Sequence, residues 1–424
     1  MSSISFSSER ALAQDSPSGE PSYKPTPSTA PAANDQSSQL LGPIQRLPAS
    51  AYPTDPIRGI YGGSLWMTFN GQQWPYFPKT GIGVSGYVWI DTGYEHIARG
   101  SGEPTDPSIT YFVQQGMMLL RITPTWSNGT WFVQGQSELV AQHDQSQTQP
   151  IQADINDLWV RLGIWRAFDF QAGRFMGWEI YHFGMGLDLY TLERNGATDQ
   201  LNLPYPAIYG VTTEFYYPEA VGQAALHLYP YSWLRFEWQG RYGNEGGLNT
   251  VGTRPVGIVD LGWLKFKFGG EYQRQAPQTS SSQLTTDWGF GGALQFVFDP
   301  YVEFGVNSAY AQHIEIQAND QKNLQGSTWT LSNGAFVNVR LAEDLILGGG
   351  VNYTYLQDKL FSFSLDRYED YDQWQGFVAL QYLLLKHLFI KGVAGYALAD
   401  FNPISPPTFA NRMVSGRLRL EYLF

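Results

Sequence analysis

The sequence contains no cysteine among its 424 residues. Disulfide bonds, thiol catalysis, cysteine-ligated metals and lipid attachment to an amino-terminal cysteine are therefore excluded together. Charged residues make up only 15% of the chain, and the net charge is -12. Because nucleic-acid-binding proteins need a basic surface to displace counterions, this charge argues against a nucleic-acid partner.

Long hydrophobic runs are also lacking. The most apolar region, 377–399, is interrupted by Gln381, Lys386, His387 and Lys391, so no segment has the roughly 18 to 20 apolar residues of a spanning helix. Aromatic residues and glycine are plentiful instead, with 26 Tyr, 25 Phe, 14 Trp and 45 Gly. A closed barrel of strands can still cross lipid at a mean hydropathy of -0.28, because its strands carry polar groups at alternate positions.

Strict alternation of apolar and polar residues begins at Gly81 and continues to the carboxyl terminus. Leu234, Phe236 and Trp238 share one face of a predicted strand, and the opposite face carries Arg235, Glu237, Gln239 and Arg241. The same pattern recurs in segments of about 9 to 14 residues along the chain. It predicts an all-β fold in which one face of each strand meets an apolar environment.

Breaks between these segments are alternately short and long. The short ones are 127–129, 166–168, 230–232, 262–263, 299–300, 342–344 and 386–387, and the long ones lie near 97–109, 143–153, 176–219, 244–254, 276–286, 314–327, 358–372 and 400–411. This asymmetry predicts a transmembrane antiparallel up-and-down β-barrel of about 16 strands, or up to about 18 if residues 58–80 supply two more. A water-soluble β-sandwich or propeller is the alternative.

Aromatic residues cluster at the predicted strand ends, where their amphipathic rings suit the two membrane interfaces. The clustered residues are Trp126, Trp131, Trp165, Phe168, Tyr229, Tyr231, Trp233, Trp263, Phe298 and Tyr301.

Three regions are expected along the chain. Residues 1–57 are rich in Pro and Ser and predict a disordered periplasmic segment, in which Ala11-Leu12-Ala13 is either the end of a signal peptide or a chance occurrence. Residues 58–80 are rich in aromatics and Gly and predict a lead-in strand, a plug or a lid. Residues 81–424 predict the barrel itself.

The carboxyl-terminal residues SGRLRLEYLF resemble the closing strand of bacterial outer-membrane proteins, whose terminal Phe and alternate apolar residues are recognised by the barrel assembly machinery. The matching positions are Leu418, Leu420, Tyr422 and Phe424. The resemblance implies that the last strand pairs with the first, that outer-membrane lipid and lipopolysaccharide surround the barrel, and that the protein lies in the bacterial outer membrane.

The stretch 156–179 resembles the strands that precede the third outer loop in the broad porin family that includes the phosphate-selective porins. The matching pieces are Asp157, Arg161-Leu162-Gly163, Gly173-Arg174-Phe175 and Trp178. The resemblance implies that segment 176–219 folds into the lumen and narrows it. Because this segment carries no lysine cluster, phosphate selectivity is not implied. Trimers are common in such porins, so a homotrimer is one expectation, although no interface can be read from the sequence.

Residues out of phase with the apolar positions are expected to line the channel. They are Arg121, Arg161, Arg235, Glu237, Arg241, Lys265, Lys267, Glu271, Glu303, Arg340, Arg417 and Arg419, and further acids on this face are Asp91, Glu95, Glu138, Asp157 and Glu421. Surplus acid is expected in loops such as 365–373, with Asp366, Glu369, Asp370 and Asp372. Two interpretations stay open: the lumen weakly prefers anions, or the charges pair across neighbouring strands and only keep the interior wet.

Segment 176–219 carries the residues expected at the constriction, namely Glu179, His182, Asp188, Glu193 and Arg194. A folded cap packed on the barrel wall is the alternative. The six His residues have no metal-ligand spacing, and no motif predicts a catalytic site, a cofactor or an enzyme.

The sequence therefore predicts an outer-membrane channel for passive diffusion of small hydrophilic solutes, including anions. The alternative function is the barrel of an export or assembly machine, for example for polysaccharide. Residues 15–57 keep that alternative open, because an extension of this kind can tether a periplasmic partner.

Overall fold

In the computed structural model the chain forms one closed sheet. The structure describes residues 80–98, 108–144, 151–175, 177–178, 222–243, 248–277, 284–298, 301–319, 322–342, 344–358, 368–385, 388–403 and 409–424. The predictions for residues 1–57 and 58–79 lie outside these residues. Within the described ranges, no helix is long and apolar enough to span a membrane.

Sixteen strands, each antiparallel to its two neighbours, follow one another around the barrel in sequence order. They are β1 (Gly81–Ala98), β2 (Ile109–Ser127), β3 (Trp131–Asp144), β4 (Ile151–Ile164), β5 (Phe168–Arg174), β6 (Gly222–Tyr231), β7 (Leu234–Gly243), β8 (Leu248–Asp260), β9 (Leu264–Pro277), β10 (Leu284–Phe298), β11 (Val302–Asn319), β12 (Lys322–Ala342), β13 (Leu345–Asp358), β14 (Tyr368–Leu385), β15 (Leu388–Pro403) and β16 (Phe409–Leu423). The predicted fold class and strand number are confirmed.

The barrel closes where β1 pairs with β16, from Tyr87 opposite Leu423 to Ala98 opposite Arg412. Beyond the last ladder pair, the N–H of Gly86 donates to the carbonyl of Phe424 at 2.8 Å, and the N–H of Phe424 donates back at 3.0 Å. Closure leaves no unpaired edge at this seam, so the backbone groups that would otherwise face lipid are satisfied.

The turns at one end of the barrel are short and chemically specific. In the β2–β3 turn, Asn128 Oδ1 accepts the N–H groups of Thr130 and Trp131 at 3.0 and 2.8 Å, and Gly129 adopts φ +94°. Thr80, just before β1, is held next to this turn, because its Oγ1 donates a hydrogen bond to the carbonyl of Ser127 at 3.0 Å. Both ends of the barrel chain therefore lie on the short-turn side.

Alternation holds on every strand, with apolar side chains outward and mostly polar ones inward. Exposed aromatics form two belts on the outer surface. The short-turn belt includes Trp126, Trp131, Phe168, Tyr231, Trp233, Trp263, Phe298 and Tyr301, and the opposite belt includes Tyr94, Phe112, Tyr242, Tyr272, Phe290, Trp374 and Tyr396. Trp263 and Tyr272 stand nine residues apart, which at about 3.3 Å per residue and a tilt of about 40° spans roughly 23 Å, the height of the apolar band of an outer-membrane barrel.

Some strands are longer than the alternation predicted. β11 extends to Asn319 and β12 starts at Lys322, so the predicted long loop 314–327 is wrong. The predicted loop acids Glu369, Asp370 and Asp372 belong to β14, not to a loop. In both places the sequence is mostly polar, so the alternation of apolar residues that indicates a strand is missing.

Candidate functional site

The inner face of the barrel is lined by charged and amide side chains. All twelve predicted channel-lining residues occupy inward positions on their strands, in phase with buried polar neighbours. Arg121, Glu237, Arg241, Glu271, Glu303, Arg417 and Arg419 are buried on this face, and Arg161, Arg235, Lys265, Lys267 and Arg340 are partly buried. The predicted belt residue Tyr229 also faces inward, where its hydroxyl donates to Asp169 Oδ2 at 2.7 Å.

One ionic cluster lies across the closing seam. Asp91 of β1 accepts from Arg419 Nη2 at 2.7 Å and lies 3.2 Å from Arg417 Nη2, both on β16. Arg417 also donates to Gln115 Oε1 of β2. The Arg419 guanidinium lies 3.8 Å from the ring centroid of Trp89, where the negative ring face favours a cation. These contacts link the first two strands to the last.

Other inward cations also contact carboxylates. Lys391 Nζ lies 2.8 Å from Glu421 Oε2, and Lys265 Nζ lies 3.2 Å from Asp260 Oδ2. Arg121 pairs with Glu138 through its Nε at 2.6 Å. Charge pairing across neighbouring strands is therefore extensive on the described part of the wall.

The largest ionic chain crosses six strands, from β4 to β9. Arg161 lies 4.0 Å from Asp169, Asp169 contacts His227 Nδ1 at 2.6 Å, and His227 Nε2 contacts Glu237 at 3.0 Å. Glu237 then meets Arg254 Nη1 at 3.3 Å, and Arg254 Nε lies 3.7 Å from Glu271. Basic and acidic side chains alternate along this chain.

The chain leaves the sheet beside this cluster and enters the lumen. β5 has only 7 residues, and after it Phe175 and Trp178 are buried. Gln223 Nε2 donates to the carbonyl of Phe175 at 2.8 Å. The indole of Trp178 stacks on the His227 ring, with centroids 4.9 Å apart and planes 7° apart, and Arg235 Cζ lies 5.6 Å from the Trp178 ring.

Both backbone groups of Trp178 are held by side chains of opposite charge. Its N–H donates to Glu237 Oε1 at 2.8 Å, and its carbonyl accepts from Arg254 Nη2 at 2.7 Å. A side chain at the preceding residue would displace these groups, because a Cβ on Gly177 would meet the end of Gln239 and would lie 2.7 Å from Arg254 Nη1 and 3.0 Å from Glu237 Oε1. The predicted constriction residues Glu179, His182, Asp188, Glu193 and Arg194 lie outside the described residues.

Sequence reasoning missed three members of this cluster. Arg254 lies in the predicted long break 244–254, yet it keeps the phase of Val256, Ile258 and Asp260 on β8. Asp169 directly follows the predicted turn 166–168 and is not among the predicted lining residues, although it alternates with Gln171 on β5. Alternation extended to positions 169 and 254 places both residues on the inner face. The third, His227, is not among the predicted lining residues.

Among the described residues, no group of three or more His, Asp or Glu side chains is arranged to hold a metal ion. The ionic chain around His227 instead connects wall strands to the segment that enters the lumen. Within the described residues, the arrangement provides a polar, water-compatible wall to which residues 177–178 are attached.

Solved outer-membrane proteins share this fold. The anion-selective porin from Comamonas acidovorans gives a TM-score of 0.52 at 12% identity, covering 81% of this chain and 99% of that chain. The channel DcaP of Acinetobacter baumannii gives 0.54 at 9% identity, covering 82% and 98%. Outer-membrane-expressed OmpT of Vibrio cholerae gives 0.50 at 11% identity, covering 81% and 97%.

No family model and no curated protein matches the sequence. The specific resemblance to phosphate-selective porins stays a prediction. At these identities the structural similarity establishes the architecture: the chain has the closed sixteen-stranded fold of outer-membrane porins.

Proposed function

We propose that this protein is an outer-membrane channel through which small hydrophilic solutes diffuse passively. The observation that supports it is a closed sixteen-stranded barrel with an apolar outer surface and a charged inner face. Barrels of about 8 strands are filled by their own side chains, whereas those of about 16 leave an aqueous passage. A polar inner face lowers the barrier for hydrated solutes in that passage.

Charge selectivity is expected to be weak. The acids Asp169, Asp260 and Asp287 face inward in addition to the predicted ones, and Arg254 is the added base, so the described wall is closer to balance than the sequence predicted. Because the cations of the wall contact carboxylates, an anion that enters the channel encounters paired opposite charges more than a net positive charge. A small anion preference is therefore the most that the described wall supports.

The size limit is proposed to arise where Trp178 enters the lumen, with the constriction residues of segment 176–219 continuing from it. The buried position of Trp178 against His227 supports this, because it brings the start of that segment inside the barrel. The alternative is that the segment packs as a cap on the barrel wall. In that case it leaves the passage open.

The remaining partners are proposed from the outer surface. Leu418, Leu420, Tyr422 and Phe424 face outward and are exposed, as lipid contact and recognition by the assembly machinery require. Lipopolysaccharide around the barrel, a homotrimer and a periplasmic partner for residues 1–57 are parts of the same proposal, with outer-membrane localisation.

Planar bilayer recordings test the channel. Purified folded protein should give stepwise, ohmic conductance, and proteoliposomes should swell with small sugars but not with large ones. Folded barrels that give no conductance would refute the proposal. A variant lacking residues 14–57 should conduct equally well, whereas a barrel that serves an export machine should lose its partner or its pathway.

A further inference from the structure

We infer that Glu237 and Arg254 form an anchor that holds the backbone of Trp178 inside the lumen and thereby fixes the position of the constriction. The anchor is defined as Glu237, Arg254 and Trp178. This inference deepens the proposed channel function and rests on it for its electrical measurements only.

The need for an anchor follows from the length of β5. This strand pairs with β4 only from Phe168 to Arg174, and with β6 only from Phe168 to Ala172. The described residues that follow, 175, 177 and 178, lie outside any strand ladder, while Phe175 and Trp178 are buried. Buried backbone N–H and C=O groups must find other partners, since leaving them unpaired is strongly unfavourable.

Glu237 and Arg254 supply those partners as a neighbouring strand would. One accepts the N–H of Trp178 and the other donates to its C=O, at 2.8 and 2.7 Å. Hydrogen bonds to charged groups are stronger than neutral ones, and each charge neutralises the other at 3.3 Å. Both side chains come from strands, β7 and β8, that are paired on both sides, so the held residue has little freedom.

Contacts around the anchor limit rotation of the indole. His227 stacks on the Trp178 ring and also contacts Glu237, while Asp169 contacts the other nitrogen of that imidazole. Tyr229 packs against the ring, with centroids 6.2 Å apart. The ionic chain thus fixes both the backbone and the side chain of Trp178, which makes Glu237 and Arg254 positioning residues for the pore.

The test replaces both charges together, with Glu237→Leu and Arg254→Leu in one chain, so that neither partner is left buried and unpaired. Lys391→Leu with Glu421→Leu is the matched control. That pair is equally buried on the wall, 2.8 Å apart, and also leaves the net charge unchanged. Heat-modifiable electrophoretic mobility reports whether each barrel is folded.

Amide hydrogen exchange of the peptide that contains Trp178 is measured first, because it does not depend on channel activity. Exchange should be about tenfold to a hundredfold faster in the anchor variant, as expected for loss of a charge-assisted bond, and unchanged in the control. In bilayers the anchor variant should also show larger open-channel current noise and should admit larger sugars.

Gly177→Val provides a second variant should the double substitution not fold. It keeps every charge but places a side chain against Arg254 and Glu237, and it should produce the same faster exchange. Exchange at Trp178 that matches the wild type in a folded anchor variant, or that rises equally in the control, would overturn the inference. Absence of current in the wild type would refute the channel function instead, and the exchange result would still decide the anchor.

Discussion

Replacing Asp91 by Asn should make the lumen more selective for anions. Asp91 faces Arg419 and Arg417 at 2.7 and 3.2 Å, so its neutralisation leaves two cations without their shared carboxylate. The inner face gains one positive charge at the closing seam. Because Asn has nearly the same shape as Asp, the wall geometry is expected to persist.

The size of the effect follows from Coulomb's law. At about 5 Å in water, one charge changes the energy of a passing monovalent ion by about 0.8 kcal/mol. Screening at 0.1 M salt, with a Debye length of about 10 Å, reduces this to about 0.5 kcal/mol. Since the anion gains what the cation loses, the permeability ratio of chloride to potassium should rise by about fivefold, which corresponds to about 1 kcal/mol.

Reversal potentials in a potassium chloride gradient measure that ratio. Arg419→Gln removes the opposite charge at the same place and should lower the ratio by a similar factor. The double variant, Asp91→Asn with Arg419→Gln, restores the wild-type net charge and should restore the ratio. A shift in the same direction for both single variants, or no shift in either, would refute the placement of this cluster on the conducting path.

Three further predictions concern the outer surface and the seam. Val378→Arg, midway between the aromatic belts and facing outward, should lower the unfolding free energy in lipid by about 2 to 4 kcal/mol, against about 0 to 1 kcal/mol for Tyr382→Arg near the interface. Equal losses of unfolding free energy for the two variants in urea titrations would contradict this placement of β14 across the membrane. Gly86→Ala places a Cβ against the Leu119 carbonyl and 2.8 Å from Phe424 Cζ, so it should destabilise by about 1 to 3 kcal/mol, whereas Gly376→Ala, 3.8 Å from its nearest neighbour, should be near neutral. Phe424→Ala should reduce folded protein in cell membranes without changing refolding yield in detergent, and a parallel loss in both would point to stability instead of recognition.

Alternation alone predicted which way the strand residues face. A residue such as Arg121 or Glu303 points inward because its neighbours on either side are apolar, and the closed barrel gives those neighbours only lipid to contact. The same reasoning failed for the ends of β11 and β12. There the sequence is mostly polar, so alternation no longer distinguishes a strand from a loop.

Contact partners could not be predicted in the same way. Asp91 meets Arg419 across 328 residues of sequence, because the first and last strands close the barrel in one particular register. A shift of that register by two residues would keep every side chain on its face but give Asp91 different neighbours. The alternation therefore predicts which charges line the pore wall, whereas the strand register determines which of them pair with each other.

The anchor illustrates why the most specific feature of the lumen was the hardest to predict. Trp178 is held by residues 59 and 76 positions further along the chain, and these approach it only because β5 ends before its neighbours do. A strand that ends early inside a barrel leaves its backbone without a ladder, and that loss is unfavourable where the following residues, Phe175 and Trp178, are buried from water. Two side chains of opposite charge on nearby strands can form hydrogen bonds with both the N–H and the C=O of one residue. The pair Glu237 and Arg254 does so here, which links the shortest strand of the barrel to the point where the pore narrows in the proposed channel.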